Sequence, residues 1–234
     1  MHVPDGFLNL PTSVVTGVLA AGAIGVALPV ARRESLGERK APMVGMVATL
    51  IFATQMLNFP VGLGTSGHLI GGALAAVLVG PATGLLCISV VLIVQAVFFA
   101  DGGLTALGTN ILLMGVITVV VGWGLFRLVI AVLPARKWSV PVATGVGGLI
   151  SVPVAAAAFS VLFAIGGQAP VPFEALFLAM TGWHVLIGIG EAVISALIVA
   201  AVMATRPDLV YGARFRRTRR PESEPASVAE EASA

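Results

Sequence analysis

Long apolar runs separated by short polar or basic interruptions dominate this chain. Runs of roughly the 17–25 residues that a lipid-crossing helix needs fall near 12–30, 41–59, 82–99, 110–133, 141–165 and 182–204. A further run, HLIGGALAAVLVG at 68–80, is shorter. As a helix rising about 1.5 Å per residue it measures roughly 20 Å, against a hydrocarbon core of roughly 30 Å. It can cross incompletely, re-enter, or belong to one longer span around 73–97.

Basic residues discriminate between these options, because Lys and Arg in short loops mark the cytoplasmic side. Arg32, Arg33, Arg39 and Lys40 separate the first two runs, and Arg136 and Lys137 separate 110–133 from 141–165. Arg127 sits near the end of its run, and Arg206, Arg214, Arg216, Arg217, Arg219 and Arg220 follow the last one. If 68–80 crosses, all of them fall on one side; if it does not, the Arg136 loop and the basic tail land outside. The pattern predicts an all-α polytopic transmembrane helical bundle of about seven spans, one of them short. Its N-terminus is outside, its C-terminus is cytoplasmic, and Pro81 turns the chain at the cytoplasmic face.

Composition agrees, with 58% hydrophobic and only 10% charged residues, where soluble domains carry about a quarter charged. Two segments follow: a transmembrane domain, 1–205, and a tail, 206–234, basic and then rich in Pro, Ser and Glu. The tail buries too little apolar surface to order itself. Its Arg cluster reads as a membrane-surface anchor and topology signal, not as a nucleic-acid site. No basic segment precedes the first run, so MHVPDGFLNLP is not a cleavable signal and Met1 is expected to remain. The single cysteine, Cys87, within a span, rules out a disulfide framework and a Cys-based metal site. GGALAA at 71–76 and GVGG at 145–148 suit close helix packing, within the chain or against a partner subunit.

The candidate chemistry rests on few residues. The histidines are His2, His68 and His184, and the predicted topology puts all of them at the outer face. A free amino terminus followed directly by histidine offers an amine, an amide nitrogen and an imidazole as one chelate. Closing that chelate with His68 gives all-nitrogen ligation, which suits Ni(II) or Cu(II). An ordinary exposed second residue is the alternative for His2, and an interfacial imidazole satisfied by water or a carbonyl is the alternative for His68. The segment NFPVGLGTSGH before His68 reads as an irregular loop, tolerated at membrane depth only where protein buries it or it lines a cavity. Asp101, at a helix end before Gly-Gly, suits a turn or helix cap. Glu191 falls well inside the last span, where an ionisable group is costly. It either pairs with donors on neighbouring helices or serves ion passage. His184 lies seven residues earlier on the same face, roughly 10 Å away, too far for direct contact.

Together MHVPDGFL, NFPVGLGTSGHLIGGALAAVLVGP, FADGGLTALGTN and IGIGEAVISALI resemble the CbiM/NikM family, the cobalt- or nickel-binding membrane components of energy-coupling-factor transporters. The resemblance covers most of 1–204. It departs at Ala82, where relatives often carry Trp, and at Thr109, where they often carry Ala in Gly-Ala-Asn. It implies that the Met1 amine, the amide and imidazole of His2 and the imidazole of His68 ligate Co(II) or Ni(II). The loop from Asn58 to Gly67, with Thr65 and Ser66, would hold or occlude the N-terminus, and Asp101 would stand behind the ligands. It implies as partners a transmembrane coupling subunit and cytoplasmic ATPase subunits, since the sequence has no Walker-type run, and a small accessory membrane subunit as a separate chain. The family serves both corrin synthesis and nickel enzymes, so the metal stays open. The resemblance places the chain in a bacterial or archaeal plasma membrane.

Two other classes compete. A membrane-embedded metalloenzyme would need an open coordination position and a general base, and HExxH is absent. A stand-alone channel or secondary carrier would use Glu191 as its intramembrane acid.

Overall fold

The computed structural model describes residues 1–33, 41–62 and 65–215. Seven helices account for most of them: α1 Leu10–Arg33, α2 Ala41–Gln55, α3 Gly72–Val79, α4 Pro81–Phe98, α5 Leu107–Val132, α6 Ser139–Gly166 and α7 Phe173–Thr205. The five longer than α2 and α3 are apolar and long enough to cross a membrane. Each predicted run became a helix because its backbone groups can be satisfied within the segment itself, as hydrocarbon surroundings require.

The ends of the bundle are set by a few contacts. At one end, Asn9 caps α1 by accepting the Thr12 N–H at 3.0 Å, and its own N–H donates to the Gly166 carbonyl at the end of α6. Thr16 and Thr109 hydroxyls meet at 2.7 Å, tying the start of α1 to the start of α5. At the other end, Cys87 near the start of α4 lies against the Val44 carbonyl near the start of α2, and Val77 of α3 lies beside Gly212, past α7. Residues 68–79 reach toward both ends: Gln55 near the end of α2 donates to the Ile70 carbonyl, and Val77 stands beside Gly212. Arg32, Arg33, Arg136, Lys137, Arg206 and Arg214 all belong to the end opposite Met1. Arg39, Lys40, the Arg216–Arg220 cluster and the acidic tail lie outside the described residues.

The short segment differs from its expected form. Residues 68–70 are extended, and α3 has only eight residues, about 12 Å of helix. All eight are buried, so α3 is shielded by protein, whereas the long spans turn apolar faces outward. The packing is of backbone on backbone: a Cβ at Gly122 of α5 would sit 2.8 Å from Ala73 Cβ, and one at Gly147 of α6 would sit 2.6 Å from the Gly122 carbonyl oxygen. The GGALAA and GVGG runs thus serve contacts within the chain.

Other differences are local. The segment expected as an irregular loop forms a hairpin, β1 Phe59–Gly62 antiparallel to β2 Thr65–Gly67, pairing Phe59 with Gly67 and Pro60 with Ser66 and irregular between Pro60 and Gly62. Its ladder supplies partners for backbone groups that an open loop would strand. Order also continues past residue 205. The turns Pro207–Leu209 and Tyr211–Phe215 fold back, with Tyr211 and Phe215 against Trp123 and the Arg127 guanidinium 3.9 Å above the Phe215 ring.

Candidate metal site

The first nine residues plug the Met1 end of the bundle. Met1, His2 and Val3 are buried, at 1%, 6% and 1% exposure. Val3 is fastened on both sides: its N–H donates to Asn110 Oδ1 at 2.8 Å, and its carbonyl accepts from Asn110 Nδ2 at 3.1 Å and from the Gly103 N–H at 3.0 Å. Asp5 Oδ1 accepts the Thr105 N–H and hydroxyl at 2.7 and 2.5 Å. Phe7 stacks on Phe159 and packs at a tilt against Phe163. The Asp101-Gly-Gly turn makes room for this strand. Gly102 has φ +88°, and a Cβ there would meet Asn110 Nδ2 at 3.0 Å and His2 Cδ2 at 3.1 Å, so only glycine fits.

His2 and His68 come together with ring centroids 4.5 Å apart. His2 Nε2 lies 3.2 Å from Gln95 Oε1, near the end of α4. Since a carbonyl oxygen only accepts, this places the ring proton on Nε2. The His2 Nδ1 lone pair is then left 3.2 Å from Asp101 Oδ1, unaligned and without a hydrogen-bond partner. His68 has the complementary arrangement. Its Nδ1–H donates to the Leu69 carbonyl at 2.8 Å, and its Nε2 is buried without a partner. A ring N–H fixed on a carbonyl with the other nitrogen bare is how metal-ligating histidines are held.

Burial disfavours the protonated forms of the Met1 amine and the His2 imidazole. Burial holds the Met1 amine well below its ordinary value of 8.0, partly offset by Asp101. Burial, then the amino terminus, pushes the His2 imidazole down to about 4, against Asp101 and Gln95. Among the described residues no three His, Cys, Asp or Glu side chains converge closely enough to hold a metal. A site here needs backbone or terminal donors as well.

The remaining sequence candidates divide. Asn58 donates to Asp101 Oδ2 at 2.7 Å, so the Asp101 carboxylate joins the hairpin to His2; its backbone N–H bonds the Gln95 carbonyl at the turn, but its side chain caps no helix. Ser66 pairs by backbone with Pro60, half-buried, and the Thr65 side chain lies outside the described structure. His184 is fully buried, with Nδ1–H on the Met180 carbonyl at 2.7 Å and Nε2 unpartnered. Glu191 accepts the Ile70 and Gly71 N–H groups at 2.7 and 3.1 Å, so its partners are backbone donors. Gln95 and Asn110 went unnoticed in the sequence. Each is a lone amide in an apolar run, and its position there was the available signal.

The family model for the cobalt uptake substrate-specific transmembrane region matches residues 2–209. The chain belongs to the CbiM family. A CbiM cobalt transport protein from Sorangium cellulosum is 33% identical over 218 residues, covering 90% of this chain and 94% of its own length. A putative metal transport protein from Haloquadratum walsbyi is 38% identical over 213 residues, with coverage of 90% and 94%. A fused nickel transport protein NikMN from Rhodobacter capsulatus is 34% identical over 222 residues, covering 90% of this chain and 64% of its own length. A crystal structure of a transition metal transporter superposes with a TM-score of 0.81 at 27% identity, covering 93% of this chain and 100% of that one. This CbiM-family chain is therefore a multi-pass membrane protein of a cobalt and nickel transport family, all-α as its sequence predicts.

Proposed function

We propose that this chain is the substrate-capture component of an ATP-driven importer for Co(II) or Ni(II), and that its ligands are the Met1 amine, the amide nitrogen and Nδ1 of His2, and Nε2 of His68. With Met1 as the free amino terminus, amine and amide close a five-membered ring on the metal, and amide and Nδ1 close a six-membered one. The observation that carries this reading is that the ring atoms the chelate requires, His2 Nδ1 and His68 Nε2, are both buried without hydrogen-bond partners on rings 4.5 Å apart, beside a buried amine. Asp101, beside Nδ1, supplies negative charge to the incoming cation. Relatives named for cobalt and for nickel transport support both metals as cargo, and nitrogen ligation alone does not choose between them.

The gathering of basic residues at the end opposite Met1 supports an outside N-terminus and a cytoplasmic C-terminus. Capture would then take place outside, in a bacterial or archaeal plasma membrane, with a coupling subunit and ATPases acting from the membrane and the cytoplasm, and a small accessory membrane subunit joining them. No catalytic role is assigned. Glu191 argues against a stand-alone carrier, because both its oxygens are committed to backbone N–H groups.

Vesicle reconstitution tests this. Metal uptake should require added coupling and ATPase subunits with ATP. Uptake by this chain alone, driven by an ion gradient, would overturn the reading.

A further inference from the structure

The ligand set leaves Glu191 unused. It is 2% exposed, on the same face of α7 as His184. Its oxygens hold the amides two and three residues after His68: Oε2 takes the Ile70 N–H at 2.7 Å and Oε1 the Gly71 N–H at 3.1 Å. A charged acceptor makes stronger hydrogen bonds than a neutral one, and extended backbone inside a membrane protein must find such internal partners. From the other side, Gln55 Nε2 on α2 donates to the Ile70 carbonyl at 2.9 Å. The next residue, Gly71, turns into α3 at φ +85°, where a Cβ would stand 3.0 Å from the Ile51 side chain.

The peptide after His68 is thus clamped from α7 through its N–H groups and from α2 through a carbonyl. The His68 ring is referenced to the same stretch, because its Nδ1–H donates to the Leu69 carbonyl. Behind Glu191, a Cβ at Gly148 of α6 would lie 3.4 Å from its Cγ, so the carboxylate is backed by packed helix.

We propose that Glu191 is the positioning residue of the metal site: by holding the Ile70 and Gly71 amides it sets where His68 Nε2 stands relative to the Met1–His2 chelate. The proposal rests on the ligand reading above. Partners outside the ligand shell typically affect metal affinity by about 10–100-fold, and Glu191 acts one step further out, through backbone.

The full chain in detergent, with Ni(II) as the probe, provides the test. Glu191→Gln keeps the size but offers one acceptor oxygen; Glu191→Asp keeps the charge but falls one methylene short. Both should bind Ni(II) at least about 10-fold more weakly. Their visible absorption should move toward that of His68→Ala, which retains only the Met1–His2 donors. A residue that merely stabilises the fold would lower the thermal midpoint and leave the spectrum unchanged. Unchanged affinity and spectrum in a folded Glu191→Gln protein would overturn the proposal. A readout without substitution is hydrogen exchange at the Ile70 and Gly71 amides, expected to be slow with and without Ni(II); fast exchange in the metal-free chain also overturns it. If an added N-terminal residue abolishes Ni(II) binding while Glu191→Gln changes nothing, the ligand reading stands and only this inference falls.

Discussion

His2 Nδ1 approaches Asp101 Oδ1 to 3.2 Å without the alignment of a hydrogen bond, while Nε2 of the same ring engages Gln95. A bare lone pair beside a carboxylate is repulsive until a cation enters between or beside them. Asp101 is itself oriented by Asn58. Asp101→Asn should therefore bind Co(II) or Ni(II) about 10-fold more weakly with its helical content intact. Calorimetric titration measures this, and an affinity equal to that of the unmodified chain would remove Asp101 from the site.

Burial fixes the pH behaviour. The His2 imidazole, pushed down to about 4 chiefly by burial, is already unprotonated at neutral pH, and burial lowers the Met1 amine from its ordinary value of 8.0. On binding, the His2 amide should release one proton and the His2 imidazole none between about pH 7.5 and about pH 5.5. Titration in buffers of different ionisation enthalpy counts the protons; a count rising to two or more below about pH 6.5 would mean exposed imidazoles. The same shifts bear on stability. These bases have folded values below their unfolded ones, so as pH falls from 6.5 toward 4 the unfolded segment takes up protons that the folded site refuses at His2. The N-terminal plug should be tightest above about pH 8, where the unfolded amine is unprotonated too, and loosen as pH falls.

Asn110 holds the plug through Val3. In Asn110→Ala the buried Val3 N–H loses its acceptor, while its carbonyl keeps Gly103. The cost should be about 1–3 kcal/mol, concentrated in residues 1–9. Aminopeptidase should then release Met1 faster than from the unmodified chain. Equal rates would mean that the plug is held elsewhere.

Much of the bundle was legible because lipid-crossing helices impose length and apolarity on the sequence, and the basic residues sorted its ends. The Met1–His2 and His68 pair was legible because histidines are scarce and one of them follows the terminus directly. Gln95, Asn110 and the Asp5–Thr105 clasp were not, since a lone amide or carboxylate carries no periodicity and its partner lies about a hundred residues away. The hairpin escaped for a related reason: its Gly and Pro residues signal turns, while the ladder that organises them is a matter of pairing. Glu191 stood out as costly in a span, but its backbone partners on the His68 segment became visible only once α7 and the 68–71 stretch were placed together.

The Asp101-Gly-Gly turn offers a matched pair of substitutions. A Cβ at Gly103 would lie 2.4 Å from the Asp5 backbone nitrogen, whereas one at Gly182 of α7 meets nothing within 4 Å. Gly103→Ala should displace the Asp5 clasp and weaken metal binding at least about 10-fold, and Gly182→Ala should match the unmodified chain. Similar affinities for the two variants would show that the strand does not hold the site in place.

In the proposed site the amino group of Met1 is itself a ligand. One glycine added before Met1 converts that amine into an amide and leaves every side chain present. The metal affinity of the extended chain, measured beside the unmodified one with helical content as the fold control, tests the claim directly. A loss of more than about 100-fold, beyond what outer partners produce, is predicted; binding of Co(II) or Ni(II) with unchanged affinity would contradict it.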